Sequence, residues 1–311
     1  MASYERVLVS FKSYLGDAVM ASPVLPALEA QFSSVTCLTM GVVDQILAHP
    51  TGKRTFIRSK KVRKPNEVFA EAIYLRQERF QVAVIVNHSF RSALTALLAG
   101  IRVRVGHAQE FRGPMLSHPV AYGHDDYETQ SCFDLLEKLR IPYEFSHPHL
   151  SVSEQEMSSV RPLVDGATVG LQPGARFGQK QIPIETSAEI ANRLHRDGHR
   201  VALFGGPDEE KFLADFVSKL TFEPINLVGK TSIRETMSSL KHLKVMIGSD
   251  TGLMHMAAAV NCPTVTVFGP TPHLKWGHRY EPHTVIAAPD GQISSVPAEQ
   301  ILAAALPHLE K

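Results

Sequence analysis

Residues 245–268 read Val245-Met246-Ile247-Gly248-Ser249-Asp250-Thr251-Gly252-Leu253-Met254-His255-Met256-Ala257-Ala258-Ala259-Val260-Asn261-Cys262-Pro263-Thr264-Val265-Thr266-Val267-Phe268. The short apolar run Val245–Gly248 ends in a polar turn. An almost wholly apolar stretch, Leu253–Val260, follows, and a β-branched run, Thr264–Phe268, closes the segment. These runs predict strand, helix and strand in that order. A helix between two strands in this way carries the chain through a right-handed crossover, so the strands are parallel. Neither the strands nor the helix has a polar face, so each is covered on both sides. The stretch therefore predicts an α/β protein with helices on both faces of a parallel sheet.

The same alternation extends outward along the chain. Further strands are predicted at Val7–Phe11, Val35–Thr39, Val82–Val86, Arg102–Val105, Val169–Gln172, Val201–Phe204, Ile225–Val228 and Thr284–Ala287. Helices are predicted at Ala18–Phe32, Ser89–Ala99, Glu128–Leu139, Ile184–Arg196, Glu209–Leu220, Ile233–His242 and Ala298–His308. The pattern lapses between about Pro142 and Asp165, where Pro142, Pro148, Pro162 and the polar run Ser151–Ser159 lie. A boundary near residue 160 divides the chain into domains 1–160 and 161–311, as its 311 residues suggest.

Composition narrows the function. With 44% hydrophobic and 20% charged residues the chain has full cores, which excludes a disordered or fibrous protein. Its net charge of +1 provides no global field for nucleic acid. Cys37, Cys132 and Cys262 lie far apart, so neither a disulfide framework nor a zinc site is expected. No basic-then-apolar leader and no long apolar run is visible, and a cytosolic location is expected. The charge that exists is concentrated: Lys53 to Lys64 holds seven Lys/Arg and no acidic residue. A solvated loop is the ordinary reading of such a run.

Parallel sheets bind ligands at the carboxyl ends of their strands. No Gly-x-Gly-x-x-Gly follows a strand, which argues against a nicotinamide or flavin dehydrogenase. Gly229-Lys230-Thr231 has the look of a P-loop terminus, but Pro224 stands where the first glycine belongs. The pairs His147/His149 and His195/His199 sit in loop-like contexts and read as solvent-facing or satisfied histidines rather than metal ligands. No hydrolase elbow is present.

Three strand-end stretches carry more chemistry than packing needs. In Ser13-Tyr14-Leu15-Gly16-Asp17-Ala18-Val19-Met20, Asp17 falls in the first turn of a helix. It is either a reactive carboxylate or an acid favoured there by the helix dipole. Gln172-Pro173-Gly174-Ala175-Arg176-Phe177-Gly178-Gln179-Lys180 is a glycine-rich turn bearing Arg176 and Lys180, which suit phosphate; a plain surface loop fits it equally. Gly248-Ser249-Asp250-Thr251-Gly252-Leu253 opens a helix whose first N–H groups form an anion site, with His255 one turn in.

These stretches, with Met256-Ala257-Ala258 continuing the third, resemble glycosyltransferase family 9, the ADP-heptose:lipopolysaccharide heptosyltransferases. Phe204-Gly205-Gly206-Pro207-Asp208-Glu209-Glu210, Leu227-Val228-Gly229-Lys230-Thr231-Ser232 and Val267-Phe268-Gly269-Pro270-Thr271 follow in the expected order. The Tyr-Leu-Gly-Asp form and the Phe-Gly after Pro-Gly-Ala are most similar to the heptosyltransferase II branch. The resemblance implies a GT-B architecture of two Rossmann-like domains facing across a cleft, acceptor on the first and nucleotide-sugar on the second. It implies an inverting transfer of L-glycero-D-manno-heptose from ADP-heptose to the lipopolysaccharide inner core.

By position, the resemblance makes Asp17 the general base. It assigns Lys180 to donor phosphate, and Gly174 and Arg176 to the donor turn. Asp250, Thr251 and Gly252 are donor contacts with His255 behind them; Thr231 lies near adenosine and Glu209 or Glu210 contacts ribose. It also turns the basic run, Lys60, Lys61, Arg63 and Lys64, toward an acidic lipid-linked acceptor and an anionic inner membrane at its cytoplasmic face. No cofactor and no divalent metal are expected, since Lys180 and the helix N-terminus provide positive charge and no Asp-x-Asp is present. A nucleotide-sugar epimerase of the same architecture and a non-enzymatic two-lobed sugar-binding protein are the alternatives. Two stretches depart from what the resemblance implies: Lys180-Gln181-Ile182-Pro183 lacks the family's Arg-Trp, and Pro272-His273-Leu274-Lys275-Trp276-Gly277 differs from the heptosyltransferase II form.

Overall fold

Val7, Leu8 and Val9 leave no polar face on β1 (Arg6–Ser10), and all three are buried. In the computed structural model, which describes residues 5–11, 14–49, 53–60, 64–175 and 178–310 apart from the side chains of Lys211 and Phe212, this strand lies inside a parallel sheet. The chain forms two compact units, 1–151 and 152–311.

In the first unit β1 is followed by α1 (Leu15–Ala21), α2 (Val24–Gln31), β2 (Ser34–Thr39), α3 (Val43–Leu47) and β3 (Arg54–Arg58). Then come α4 (Pro65–Gln77), β4 (Val82–Ile85), α5 (Phe90–Leu98), β5 (Val103–His107), β6 (His118–Val120) and α6 (Glu128–Lys138). The sheet runs β3-β2-β1-β4-β5-β6, with Val9 opposite Cys37 on one side and Val84 on the other.

The second unit runs α7 (Glu154–Val164), β7 (Val169–Leu171), α8 (Ile184–Arg196), β8 (Val201–Leu203), α9 (Glu210–Ser218), β9 (Ile225–Asn226) and α10 (Ile233–Leu240). It continues with β10 (Val245–Ser249), α11 (Gly252–Ala259), β11 (Thr264–Phe268), α12 (His273–Trp276), β12 (His283–Ala287) and α13 (Ala298–Leu309). Its sheet, β12-β11-β10-β7-β8-β9, has the same strand order as the first when counted within the unit. Val169, Leu171, Ile247, Val265 and Val267 meet Ile190, Ala191 and Leu194 of α8 and Ile301, Leu302 and Ala305 of α13 in its core. Strand order reverses between β1 and β4 and again between β7 and β10, and these are the points where such sheets open a crevice for ligands.

Several expectations are revised. The helix expected over 18–32 is two, because Pro23 has no N–H to continue the first and instead opens α2. Residues 54–58, within the basic run, form the edge strand β3 rather than a loop. β6 also escapes the sequence pattern: it is three residues long and carries Pro119, which an edge strand tolerates. The boundary near 160 falls inside α7. That helix belongs to the second unit, where Arg234 of α10 donates to Glu156 at 2.7 and 2.6 Å.

Candidate functional site

The second switch point gathers most of the residues read from the sequence. Gln172 leaves the end of β7, Asp250 the end of β10, and Thr251 directly precedes α11. The Thr251 hydroxyl does not cap its own helix but donates to Gln172 Oε1 at 2.6 Å. Gln172 Nε2 in turn donates to both oxygens of Glu209, at 3.0 and 3.2 Å. The Glu209 carboxylate can only accept, which fixes the orientation of the amide and leaves its oxygen to the Thr251 hydroxyl. Glu209 lies over two glycines. A Cβ on Gly205 would stand 2.7 Å from Glu209 Oε2, and one on Gly174 3.1 Å from it. Burial raises the carboxyl of Glu209 above its usual range, with the Gln172 bond working against the shift.

Lys180, on a single turn of 3-10 helix, donates from Nζ to Asp250 Oδ2 at 2.7 Å. The other oxygen of Asp250 lies 3.4 Å from His255 Nε2. Burial alone would raise the Asp250 carboxyl, but the bonds and charges of His255 and Lys180 outweigh it and hold the group well below the carboxylate range. An ammonium has three donors and Asp250 takes one, so Lys180 can meet an anion as well. With Thr251 turned toward Gln172, the opening N–H groups of α11 carry no side-chain cap. An uncapped helix start beside a lysine is suited to phosphate.

Thr231 takes no part in these bonds: it lies just ahead of α10 and shares a 2.8 Å hydrogen bond with Thr236 of that helix. Gly252 is the first residue of α11. Arg176 lies outside the described residues, as do Lys61 and Arg63. Among the described residues, no group of three or more His, Cys, Asp or Glu has an arrangement that could hold a metal ion.

In the first unit Asp17 is half-buried in the opening turn of α1, at the switch point beside β1. Asn87, just beyond β4, donates to Ser10 O at 3.2 Å, Ser10 Oγ at 2.8 Å and Phe11 O at 3.3 Å, and so clamps the end of β1. The wholly buried Arg112 donates to the carbonyls of Asn87 and His107. Burial lowers its guanidinium to about 10, and Glu110 opposes the shift. The Tyr122 hydroxyl donates to Glu128 Oε2 at 2.5 Å. Burial first, then the bond and charge of Glu128, push this phenol upward, with the charges of Cys132 and Asp17 adding to the effect. Its ring meets those of His88, His107 and His124 at centroid distances of 4.4, 4.8 and 5.5 Å. None of this cluster was singled out in the sequence. The available signal was that His88 and His107 follow or end apolar strand runs.

The basic run is divided by the fold. Arg54 is nearly buried and forms a two-pronged pair with Glu29, and Arg58 pairs with Asp44, so both hold β3 in place. Lys53, Lys60 and Lys64 are exposed. Lys60 and Lys64 precede α4, which buries Val68, Ala72 and Leu75 but leaves Phe69, Ile73 and Tyr74 exposed by 55%, 62% and 47%.

The chain is 26% identical over 307 residues to lipopolysaccharide heptosyltransferase 2 of Escherichia coli K12, covering 86% of this chain and 83% of that protein. In fold it matches a glycosyl transferase family 9 protein from Veillonella parvula DSM 2008, with a TM-score of 0.88 at 19% identity over 99% and 98% of the two chains. It also matches E. coli ADP-heptose lps heptosyltransferase II, with a TM-score of 0.86 at 24% identity over 98% of each chain. The two parallel six-stranded units thus agree with the GT-B fold that the resemblance implied. The sequence fits the model of glycosyltransferase family 9 (heptosyltransferase) over residues 69–300, well over half the chain, and on that ground the protein belongs to this family of glycosyltransferases.

Proposed function

We propose that this glycosyltransferase transfers heptose from ADP-L-glycero-D-manno-heptose to the inner core of lipopolysaccharide with inversion at the anomeric carbon. The observation that carries the reading is the second switch point. There Lys180, the uncapped start of α11 and the Glu209–Gln172–Thr251 chain stand together on a fold shared with heptosyltransferases. Lys180 and the α11 N–H groups meet the diphosphate, with Gly174, Asp250, Gly252 and His255 around them and Thr231 toward the adenosine; Arg176, outside the described residues, keeps the donor role that the family resemblance gives it. Glu209 offers a carboxylate to a ribose hydroxyl. In the first unit Asp17 takes the proton of the acceptor hydroxyl. The oxygen then bonds to C1 of the heptose from the face opposite the diphosphate, and the C1–O bond breaks with its electron pair leaving on ADP. The positive charge at the diphosphate comes from the protein, so a divalent metal is not required for the step.

The acceptor is lipid-linked, and the contact with the membrane is assigned to the segment leading into α4. Lys60 and Lys64 precede α4 in the chain, and Arg76 and Arg79 lie at and just past its end; all four are exposed, as are Phe69, Ile73 and Tyr74 on the helix. The two carboxylates of the helix are occupied: Glu67 accepts from Lys64 N and Glu71 from Ser59 Oγ. A helix with apolar side chains outward and cations at its ends lies in an anionic bilayer surface. Among the described residues no helix is long and apolar enough to cross a membrane. In this reading the protein works as a peripheral enzyme at the cytoplasmic face.

The test is incubation of the purified protein with ADP-heptose and a lipid A-linked core acceptor. Mass spectrometry should show one added heptose and release of ADP, and NMR of the product should show an inverted anomeric centre. Release of free altered sugar without transfer would instead support an epimerase.

A further inference from the structure

Lys180 and Asp250 are the outer end of a longer buried chain. Asp250 Oδ1 lies 3.4 Å from His255 Nε2, and His255 Nδ1 lies 2.9 Å from His278 Nε2. The remaining nitrogen of His278, Nδ1, lies 3.2 Å from the Tyr280 hydroxyl. Asp250, His255 and His278 are only 6%, 5% and 3% exposed. His255 comes from the helix that begins the site. His278 does not: it lies in the loop between α12 and β12.

Each of these bonds holds one proton, which gives the chain a direction. The Asp250 carboxylate can only accept, so His255 Nε2 carries hydrogen. With neutral rings, His255 Nδ1 accepts from His278 Nε2, and His278 Nδ1 accepts from the Tyr280 hydroxyl. One polarity running from Tyr280 to Asp250 satisfies all three bonds, and bonds aligned in this way strengthen one another in a low-dielectric interior. A charged His255 would reverse the two inner bonds but would still need His278 to hold its ring. In either state Asp250 takes the Nε2 hydrogen, and His278 on the far side keeps the His255 ring turned toward it.

We propose that His278 is a positioning residue for the donor diphosphate, acting through His255 and Asp250 on the placement of Lys180. The proposal rests on the donor-site reading of Lys180 given above. Freed from His278, the His255 ring can rotate off Asp250, and Asp250 then holds Lys180 less well against the ligand.

The test measures ADP and adenosine affinity by calorimetry, donor KM and kcat, and melting temperature for His278→Ala, His278→Gln, His278→Asn and Lys180→Ala. His278→Ala should weaken ADP about tenfold with a matching rise in donor KM, the scale of one hydrogen bond to a charged group, and leave adenosine unaffected. His278→Gln places an amide nitrogen where Nε2 was and should recover most of the loss. His278→Asn reaches only the Nδ1 position and should not. Wild-type ADP affinity in His278→Ala overturns the proposal. So does equal impairment of the Gln and Asn variants, or an ADP loss that merely follows melting temperature. If Lys180→Ala binds ADP normally, the donor-site reading itself fails; if Lys180→Ala is impaired while His278→Ala is not, only the role of His278 fails.

Discussion

Asp17 and Lys180 are single side chains to which separate steps are assigned, so each has its own signature. Asp17→Asn keeps the shape but cannot take a proton. It should lower kcat by roughly 10²–10⁴-fold, the span of general base catalysis, with donor KM within a few-fold of wild type. Turnover near wild type would leave Asp17 as a helix-start acid only. Lys180→Ala removes the cation paired with Asp250, and ADP binding should weaken by about 1.5–3 kcal/mol while adenosine binding barely changes. Equal losses for both ligands would separate Lys180 from phosphate. At this scale the strand-end turns that carry Asp17, Asp250 and His255 were legible because such turns are local, whereas the pairing of Lys180 with Asp250 spans 70 positions. Gln172 was read only as the start of a turn. Its bridging of Thr251 and Glu209, residues 79 and 37 positions away, exists only when three strands stand side by side.

Elements carry the next two predictions. Glu156 joins α7 to α10 through Arg234 and also closes the Ser153 capping box. The Arg234 bond, with the Ser153 bonds adding, outweighs burial and lowers the Glu156 carboxyl from 4.5 to about 2. A folded-state value below the unfolded one means stability that is present above about pH 4.5 and lost as pH falls toward 2. Glu156→Gln should therefore cost about 1–2 kcal/mol at pH 7, allowing for solvent screening of a partly exposed pair, and almost nothing near pH 2. Denaturant unfolding at both pH values checks this; a deficit independent of pH would mean that the charge is not what Glu156 contributes. The second prediction concerns α4. Phe69→Ser with Ile73→Ser should weaken binding to anionic vesicles about tenfold, since each side chain loses part of a 1.5–3 kcal/mol burial. ADP affinity should be unchanged, and replacing Lys60 and Lys64 with Gln should weaken the same binding most at low salt. Unaltered flotation with vesicles would return α4 to a bare surface helix. The sequence pattern missed α4 because Val68, Ala72 and Leu75 mark one face while Phe69, Ile73 and Tyr74 mark another, which blurs the helical period. It missed α7 because Pro162 lies within it, although Ser153 and Glu156 already spelled its start.

For the whole molecule, ligand binding should be confined largely to one unit. The proposed donor residues all lie in 152–311, so saturating ADP should slow amide exchange around 172–180, 205–209 and 249–255, and far less around His88 and Tyr122. Protection centred on the first unit would move the donor site. Treatment with EDTA should leave the transfer rate within about twofold, because fixed protein charges face the leaving diphosphate; a loss beyond tenfold would assign that charge to a metal. The parallel α/β class, most strands, the existence of two domains and the family followed from the sequence alone. The class, the strands and the domains rest on apolar periodicity and on turns of a few residues, where cause and effect are neighbours in the chain, and the family rests on the resemblance of the strand-end motifs. Tertiary structure alone decided the division of the basic run. Residues 54–58 pair with β2 as the sheet edge, with Arg54 and Arg58 bonded to Glu29 and Asp44, while Lys60 and Lys64 are exposed. It also decided the alignment of His278 behind His255 and of Glu209 behind Gln172. Those pairings join residues tens of positions apart, and only the packing of strands and loops against one another brings such groups within hydrogen-bond reach.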